Sequence, residues 1–265
     1  MKQIPIKNLK TYYKHNAVFF SGSNIIVEPN ENRPFINFKV GLDESQSDIK
    51  EIFLDENLLF VELQSISEQC KMDIFPSKIF LRGAPNEDVI HILRGVQCLN
   101  WNRKCCYCSQ CGAPINPVNN HLEKQCKPCG LSFFPNLSPA IMVLVRKENQ
   151  ILLARSPHFK KGMYAALAGF IDVGESAECA VHREVQEEVG LKIKSLKYFG
   201  SQSWPFPGSF MIAFTAEYLE GDIIMEPNEI EDAQWFDIHN IPDIPPMPSI
   251  SRKLIDSACV LPVSM

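Results

Sequence analysis

Four closely spaced glutamates and one arginine are the side chains of this sequence best suited to metal binding or catalysis. Glu184, Glu187 and Glu188 lie within five consecutive positions, and Glu175 lies nine positions before the first of them. Carboxylates held together beside an apolar core repel one another and are costly to bury unless a cation neutralises them. Such an oxygen-rich group suits Mg²⁺ or Mn²⁺. Arg183 is interpreted as the partner that orients one of these carboxylates.

A helix must carry most of these side chains. Ser176 is a suitable N-cap, the segment from Ala177 to Val189 has helical periodicity, and Gly190 is a suitable terminating residue. At about 100° per residue, Glu184 and Glu188 fall on or beside the apolar stripe of this helix instead of opposite to it. The stripe consists of Ala177, Val181, Val185 and Val189. The two carboxylates are therefore predicted to face inward together.

The spacing of these residues matches a known pattern. From Gly169 to Leu191 the chain reads G-x5-E-x7-R-E-U-x-E-E-x-G-U, where U is apolar. This pattern, matched at every defined position, resembles the Nudix box of nucleoside diphosphate-X hydrolases. The resemblance implies a metal-dependent hydrolase that cleaves a pyrophosphate. An ordinary acidic helix face is the alternative, which so many matched positions disfavour.

A second cluster is formed by cysteines. Of the ten cysteines, seven lie from Cys98 to Cys129, and two C-x2-C pairs among them are each followed by a glycine. This spacing is close to that of a four-thiolate zinc ribbon. The predicted ligands are Cys108, Cys111, Cys126 and Cys129. Since all four positions are filled, the single Zn²⁺ expected per subunit would support folding and leave no open position for chemistry.

Other interpretations of the cysteines are a redox pair or a buried thiol cluster. Cys105 and Cys108 also have C-x2-C spacing, so spacing alone leaves the first pair open. The glycine after Cys111 matches the glycine after Cys129, and this favours Cys108 with Cys111. Cys105 and Cys106 are predicted to lie outside the cluster.

Composition indicates a soluble globular protein with room for two domains. The chain has 265 residues, of which 45% are hydrophobic and 22% charged, and its net charge is −5. That modest acidity argues against dominant, sequence-independent binding to a nucleic-acid backbone. No apolar run approaches the length of a membrane span, and the amino-terminal residues lack a signal-peptide core. We therefore expect a cytoplasmic location and no membrane partner.

The order of patterns predicts three regions: residues 1–97, an N-terminal α/β region; 98–135, the zinc ribbon; and 136–265, the catalytic domain. In the first region strands are predicted at 17–20, 24–27 and 52–54, and a helix from Asn86 to Leu93, ended by Gly95. In the third region a hairpin is predicted around Asn149, with further strands near 196–200, 210–218 and 234–236. A final helix is predicted near 249–258. These alternating elements predict a mixed α/β (α+β) architecture.

A proline-rich and aromatic stretch follows the glutamates, from Ser201 to Ser209, and reads S-Q-S-W-P-F-P-G-S. Two prolines and a glycine around two aromatics predict a stiff loop that presents its rings. The stretch resembles the S-Q-P-W-P-F-P-x-S signature of the NADH pyrophosphatase, or NudC-type, subfamily and departs from it at Ser203. By that resemblance the loop binds a dinucleotide through Gln202, Ser203, Trp204, Pro205, Phe206, Pro207, Gly208 and Ser209. Two aromatics fixed in the core are the alternative.

This resemblance covers most of the chain and carries further implications. It implies a Nudix α/β/α sandwich, an N-terminal NADH-pyrophosphatase-like domain, a homodimer, and hydrolysis of NADH or NAD⁺ to nicotinamide mononucleotide and AMP. Two or more Mg²⁺ or Mn²⁺ ions are expected. The implied ligands are Glu184, Glu188, Glu229 and the backbone oxygen of Ala168. Glu187 or Glu188 is the candidate base, since spacing does not separate a base from a ligand.

Three more substrate contacts follow from the resemblance: Phe134, Ser251 and, on a loose alignment, Arg82. Phe134 stands where the family often has tyrosine, so stacking is retained and a hydroxyl contact is lost. Asn136 stands where relatives commonly have arginine, so this chain lacks a cation at that position. At Arg82 a solvated surface arginine is the alternative.

Other functions compete with hydrolysis of free dinucleotides. Removal of NAD caps from RNA 5′ ends uses the same pyrophosphate and is compatible with the same residues. ADP-ribose and diadenosine polyphosphates are further substrates of Nudix enzymes. A different class is a zinc-ribbon nucleic-acid-binding protein with a degenerate hydrolase domain, which the intact glutamates disfavour.

Overall fold

The computed structural model of the chain describes residues 2–3, 16–27, 36–37, 49–55, 58–65, 72–82, 84, 86–115 and 122–259. The chain divides into two compact units, residues 1–136 and 137–265. Within the described ranges, no helix combines the length and apolar character needed to cross a membrane.

The first unit contains a seven-stranded sheet with the order β1-β5-β6-β2-β3-β7, in which β4 pairs with β2. The strands are β1 (Lys2–Gln3), β2 (Asn16–Ser21), β3 (Asn24–Val27), β4 (Ile36–Asn37), β5 (Ile49–Asp55), β6 (Leu58–Leu63) and β7 (Asp73–Pro76). Two helices follow, α1 (Ser77–Phe80) and α2 (Asn86–Lys104). The three strands predicted in this region are confirmed.

The predicted end of the helix at Leu93 is wrong, because α2 continues through Gly95 to Lys104. A β-carbon on Gly95 would lie 2.6 Å from the ring of Phe60 and 3.0 Å from the ring of Phe20. Gly95 therefore allows α2 to approach the sheet closely, which is a packing role instead of a terminating one.

The end of the first unit carries a two-stranded antiparallel ribbon. It consists of β8 (Lys124–Gln125) and β9 (Ser132–Phe133). Lys124, the first residue of β8, is buried and donates from Nζ to the carbonyl oxygens of Asn102 and Cys105, at 3.0 and 2.8 Å. The ribbon is thereby joined to the carboxyl end of α2.

The second unit is an α/β/α sandwich around a six-stranded sheet of order β13-β14-β10-β11-β15, in which β12 also pairs with β10. Its elements are β10 (Ser138–Lys147), β11 (Gln150–Arg155), β12 (Leu167–Phe170), α3 (Ala177–Val189), β13 (Lys192–Trp204), β14 (Ser209–Glu220), β15 (Asp232–Asp237) and α4 (Ile250–Cys259). One apolar cluster packs α3 against one face, and another packs α4 against the opposite face. The predicted fold, hairpin, strands and final helix are confirmed.

Strand β10 is shared by two partners on one of its sides. β11 pairs with its last residues, Arg146 and Lys147, whereas β12 pairs with its residues 140–143. An isolated β-bridge joins Ala154, near the end of β11, to Ala165 in the segment that precedes β12. The sheet therefore splits beside β10, and small side chains line the split.

The helix that carries the glutamates begins and ends as predicted. The Ser176 side chain accepts a hydrogen bond from the backbone nitrogen of Cys179 at 3.1 Å, and Gly190 follows the last turn with φ 72°. The buried residues of α3 are Ala180, Val181, Glu184, Val185, Glu188 and Val189. The predicted inward position of Glu184 and Glu188 is confirmed.

The predicted loop from Ser201 to Ser209 is largely a strand. β13 runs to Trp204 and β14 starts at Ser209, so only the four residues 205–208 form a turn. We call these residues the Trp204 turn, after the last strand residue before it. Trp204 pairs with Ser209 across the hairpin, which shows that a regular strand accepts this sequence until the first proline.

Candidate active site

Three carboxylates meet at the inner face of α3. Glu184 and Glu188 come from the helix, and Glu229 comes from the segment between β14 and β15. One oxygen from each lies within 4.8 Å of the others, and Glu184 and Glu188 are 7% and 6% exposed. We call this group the acidic cluster. It brings together the three carboxylates predicted as ligands of divalent cations.

The acidic cluster is poorly stabilised by the protein alone. Burial raises the pKa of Glu188 from 4.5 to about 8, and the charges of Glu184 and Glu229 add to the shift. Burial also raises the pKa of Glu184. The Oε2 atom of Glu188 is buried and has no hydrogen-bond partner among the described residues. A divalent cation would neutralise these charges and occupy the free oxygen, so the residues fit such an ion.

The approach of β12 to the cluster depends on Gly169. A β-carbon built at this position would overlap the Glu184 carboxyl group. The neighbouring residue Ala168 lies in the same strand, within a cavity lined also by Glu188 and Glu229. The first glycine of the motif thus lets the backbone of β12 lie against a carboxylate.

Arg183 binds three of the four glutamates of the motif instead of one. Its Nη1 donates to Glu184 and Glu187 at 2.9 and 3.0 Å, and its Nε and Nη2 donate to Glu175 at 3.0 and 2.9 Å. Nη2 also donates to the carbonyl oxygen of Phe170 at 2.9 Å. This pairing lowers the pKa of Glu175. Glu175 therefore holds the loop before α3 to Arg183 and lies outside the acidic cluster.

Glu187 and Glu188 have different surroundings although they are adjacent. The Glu187 side chain is 60% exposed and pairs with Arg183, whereas Glu188 is buried in the acidic cluster. The i to i+1 step on a helix turns the side chain by about 100°, which accounts for the difference.

Glu229 is fixed by contacts at both ends of its segment. The backbone nitrogens of Ile224 and Glu226 donate to the carbonyl oxygens of Val189 and Glu188 at 3.0 Å each, at the carboxyl end of α3. On the other side, the nitrogen of Glu231 donates to the carbonyl oxygen of Arg155 at 2.9 Å.

The Arg155 side chain adds a second link to this segment, because its Nη1 forms an ion pair with the Glu231 carboxylate. The Arg155 side chain is 14% exposed. Arg155 belongs to no motif in the sequence. Its position beside this segment results from the pairing of β11 with β15.

Gln202 connects β13 to the start of α4. Its Nε2 donates to the carbonyl oxygen of Pro248 at 2.9 Å, and its Oε1 accepts from the backbone nitrogen of Ile250 at 2.7 Å. Both ends of the amide are therefore engaged within the protein. Ser251, in the first turn of α4, is 4% exposed, and its Oγ has no hydrogen-bond partner among the described residues.

The aromatic residues around the Trp204 turn pack edge to face. The rings of Trp204 and Phe206 are 5.5 Å apart at 73°, and both residues are half-buried. Ser209, which begins β14, is buried. Of the other predicted substrate contacts, Phe134 and Arg82 belong to the first unit, and both are exposed.

The four predicted zinc ligands form a compact group near the end of the first unit. One sulfur from each of Cys108, Cys111, Cys126 and Cys129 lies within 4.8 Å of the others. Two of the Sγ–Sγ distances are 3.5 Å, close to the ~3.8 Å edge of a tetrahedron with Zn–S bonds of about 2.3 Å. Cys105 and Cys106 are outside the group.

The two cysteine pairs have the same backbone geometry. The nitrogen of Gly112 donates to the carbonyl oxygen of Cys108 at 2.9 Å, and the nitrogen of Gly130 donates to that of Cys126 at 2.8 Å. Both glycines have positive φ, 71° and 77°. The glycine after each pair is thus required by the turn, which supports choosing Cys108 over Cys105.

A cavity of about 250 Å³ opens beside the acidic cluster in the split of the sheet. Its lining includes four residues that the sequence did not single out: Ser156, His158, Phe159 and Asn228. They lie in segments between strands, where no periodicity or motif marks them.

Comparison with known proteins assigns the chain to a class. The model of the NUDIX domain matches residues 136–258. Two curated relatives, both NAD-capped RNA hydrolases NudC, come from Chromobacterium violaceum and Pseudomonas entomophila, and both are 47% identical. The first match covers 69% of this chain and 69% of the relative, and the second covers 59% of this chain and 56% of the relative. The chain is a Nudix hydrolase.

Its place within that class follows from the same relatives. A further NudC protein, from Pseudomonas putida, is 49% identical over 156 residues, and this chain spans only 56% of its length. The chain belongs to the NudC-type subfamily of Nudix hydrolases. Among solved structures, a Nudix hydrolase from Nitrosomonas europaea is 20% identical with a TM-score of 0.44, covering 51% of this chain and 79% of that one.

Proposed function

We propose that the protein is an NAD(H) pyrophosphatase, which hydrolyses NADH or NAD⁺ to AMP and the reduced or oxidised nicotinamide mononucleotide, respectively. The observation that carries this proposal is the acidic cluster, in which Glu188 is buried with a free oxygen and a pKa raised to about 8 by burial. A site of this kind calls for divalent cations, and pyrophosphate hydrolysis is a reaction that such cations promote.

The proposed ligands of two or more Mg²⁺ or Mn²⁺ ions are Glu184, Glu188, Glu229 and the backbone oxygen of Ala168. When bound, the ions screen the phosphate charge and lower the pKa of the attacking water. Arg183 orients Glu184 and Glu187 through its hydrogen bonds. The base is proposed to be Glu187 or Glu188, which lie side by side in the last turn of α3.

For substrate binding we propose the hairpin residues Gln202 to Ser209, together with Phe134, Ser251 and Arg82. The exposed ring of Phe134 suits stacking on a base. The buried Ser251 hydroxyl, which has no partner among the described residues, suits a hydrogen bond to a bound ligand. Gln202 would help to bind substrate by holding the start of α4 in place, because its amide already bonds to Pro248 and Ile250.

A second candidate substrate is NAD-capped RNA. The relatives are named for this activity, and the cap contains the same pyrophosphate. Hydrolysis of ADP-ribose or diadenosine polyphosphates is the alternative within the same class. A degenerate domain attached to a nucleic-acid-binding ribbon is disfavoured by the assembled acidic cluster.

The proposal extends to the rest of the molecule. We propose one structural Zn²⁺ per subunit in the cysteine group, a homodimer, and a cytoplasmic location. The division into residues 1–97, 98–135 and 136–265 also stays a prediction.

The substrate is tested by measuring kcat/KM side by side in the presence of Mg²⁺ or Mn²⁺. The panel is NADH, NAD⁺, ADP-ribose, diadenosine tetraphosphate and NAD-capped RNA. Release of reduced nicotinamide mononucleotide and AMP from NADH is expected, with a kcat/KM above those for ADP-ribose and diadenosine tetraphosphate. A higher kcat/KM for either of those two compounds would contradict the proposal, and the value for NAD-capped RNA ranks the second candidate.

A further inference from the structure

The cavity beside the acidic cluster and the Trp204 turn lie on opposite sides of β10. The hairpin of β13 and β14, which carries the turn, occupies one side of β10 in the sheet. The cavity occupies the other side, between the segment that follows β11 and the segment that precedes β15. Glu188 and Glu229 belong to both the cavity wall and the acidic cluster.

This arrangement matters for a substrate with a central pyrophosphate. When the phosphates lie at the acidic cluster, a dinucleotide bound in an extended conformation sends its two nucleoside ends in different directions. One direction leads toward the Trp204 turn, which we proposed above as a substrate site. The other leads into the cavity, because the cavity opens directly from Glu188 and Glu229.

Part of the cavity lining has the chemistry of a nucleoside site. Phe159 is 37% exposed and lines the cavity together with Ser156 and His158. These residues form a defined turn, since the nitrogen of Phe159 donates to the Ser156 carbonyl at 2.9 Å and that of His158 to its Oγ at 3.4 Å. Asn228 also lines the cavity. A ring suits a base, and hydroxyl, imidazole and amide groups suit ribose hydroxyls.

The size of the cavity fits one half of a dinucleotide. Its volume of about 250 Å³ is just below the roughly 300 to 1,000 Å³ of pockets that enclose a whole small molecule. Alanines at positions 154, 165, 166 and 168 line it and keep it open.

We infer that this cavity is a second nucleoside subsite, which receives the end of the substrate that points away from the Trp204 turn. Phe159 contacts the base, and Ser156, His158 and Asn228 contact the ribose. This inference rests on the proposed function, because it assumes a substrate with nucleosides on both sides of the pyrophosphate.

The test compares Phe159→Ala with Phe199→Ala, which removes a phenylalanine of equal exposure, 37%, from β13. The substrates are NADH and two methyl diphosphates, one of reduced nicotinamide riboside and one of adenosine, each of which keeps a single nucleoside. Phe159→Ala is expected to lower kcat/KM for NADH about tenfold relative to Phe199→Ala. It should lower the value similarly for one methyl diphosphate and by less than twofold for the other, which identifies the nucleoside in the cavity.

Equal kcat/KM values for the two variants with NADH would overturn the inference, as would an equal loss on all three substrates. A binding measurement separates this outcome from a failure of the proposed function. Titration of AMP and nicotinamide mononucleotide in the presence of Mn²⁺ should show about tenfold weaker binding of one of them to Phe159→Ala. Unchanged affinity for both would overturn the subsite even if the wild-type protein did not hydrolyse NADH.

Discussion

The backbone of Gly169 lies directly against the carboxyl group of Glu184. A β-carbon on the glycine would overlap that carboxyl group, so the strand and the helix meet there without an intervening side chain. Arg183 donates to the same carboxylate, with its Nη1 2.9 Å from Oε1. The arginine and the close glycine backbone therefore both restrict the position of the Glu184 carboxyl group.

Gly169→Ala should displace Glu184 and weaken the cation site. We expect kcat with Mn²⁺ to fall at least about a hundredfold, because a misplaced catalytic group is costly in rate. Gly200→Ala is the matched control, since a β-carbon there would meet its nearest neighbour, the Ile250 side chain, at 3.9 Å. Activity of Gly169→Ala within about threefold of this control would show that the close approach is not needed.

Replacing Glu188 with glutamine should abolish turnover and leave a folded protein that retains its zinc. Glu178→Gln, which changes an exposed glutamate in the first turn of α3, should keep its activity. Steady-state kinetics measures turnover, circular dichroism measures folding, and elemental analysis measures zinc content. Substantial residual activity in Glu188→Gln would contradict the proposed role of Glu188 as a metal ligand or base.

The same residue should make the cation-free protein less stable as pH rises. Burial raises the pKa of Glu188 from 4.5 to about 8, so between these values the unfolded chain is ionised and the folded chain keeps the proton. The folded state binds the extra proton, and its free energy of unfolding falls across this window, by roughly 3 to 5 kcal/mol in total.

Thermal melts from pH 5 to pH 8.5 in a chelator would measure that loss, and Glu188→Gln should reduce it. Mn²⁺ should restore the stability at the upper end of the range, because it binds the ionised carboxylates of the folded state. Identical pH profiles for the wild type and Glu188→Gln would contradict the pKa shift.

Arg155→Met should weaken cation binding without touching the acidic cluster. The ion pair with Glu231 helps to fix the segment that carries Glu229, so its loss should raise the Mn²⁺ concentration for half-maximal activity about tenfold. Glu231→Gln should have a similar effect, and the double variant should be no worse than either single one. Lys192→Met is the control, since it removes an exposed pair with Glu220. Additive effects of the two changes would contradict a shared role.

Cys108→Ser should lower the zinc content and destabilise the first unit, whereas Cys105→Ser should leave both unchanged. The sulfur of Cys108 lies in the compact four-cysteine group, and that of Cys105 does not. Elemental analysis and thermal melts measure the two properties. Loss of zinc from Cys105→Ser would show that the first pair is Cys105 with Cys108.

Features set by neighbouring residues were predictable from the sequence. The start of α3 at Ser176, its end at Gly190 and the inward position of Glu188 all follow from local capping and periodicity. The four-cysteine group follows from two short repeats of the same turn. Such features need no knowledge of distant contacts.

Features set by distant contacts were missed or wrong. Gly95 does not end α2, because its role is to pack against Phe60, which lies in strand β6. Arg155 and Phe159 acquire their surroundings from the pairing of strands and from the split beside β10. Periodicity within one segment does not show which other segment will lie beside it.

The helix α3 has fixed stops at both ends, since Ser176 caps its start and the positive φ of Gly190 ends it. The direction in which each glutamate side chain points therefore depends on its position along the helix as well as on its residue type. One residue inserted between these stops would rotate the glutamates that follow it by about 100° relative to the strand they face, with every charged residue still present. A chain could therefore contain every residue type of this motif and still be inactive, because one inserted residue would turn its glutamates away from the metal site.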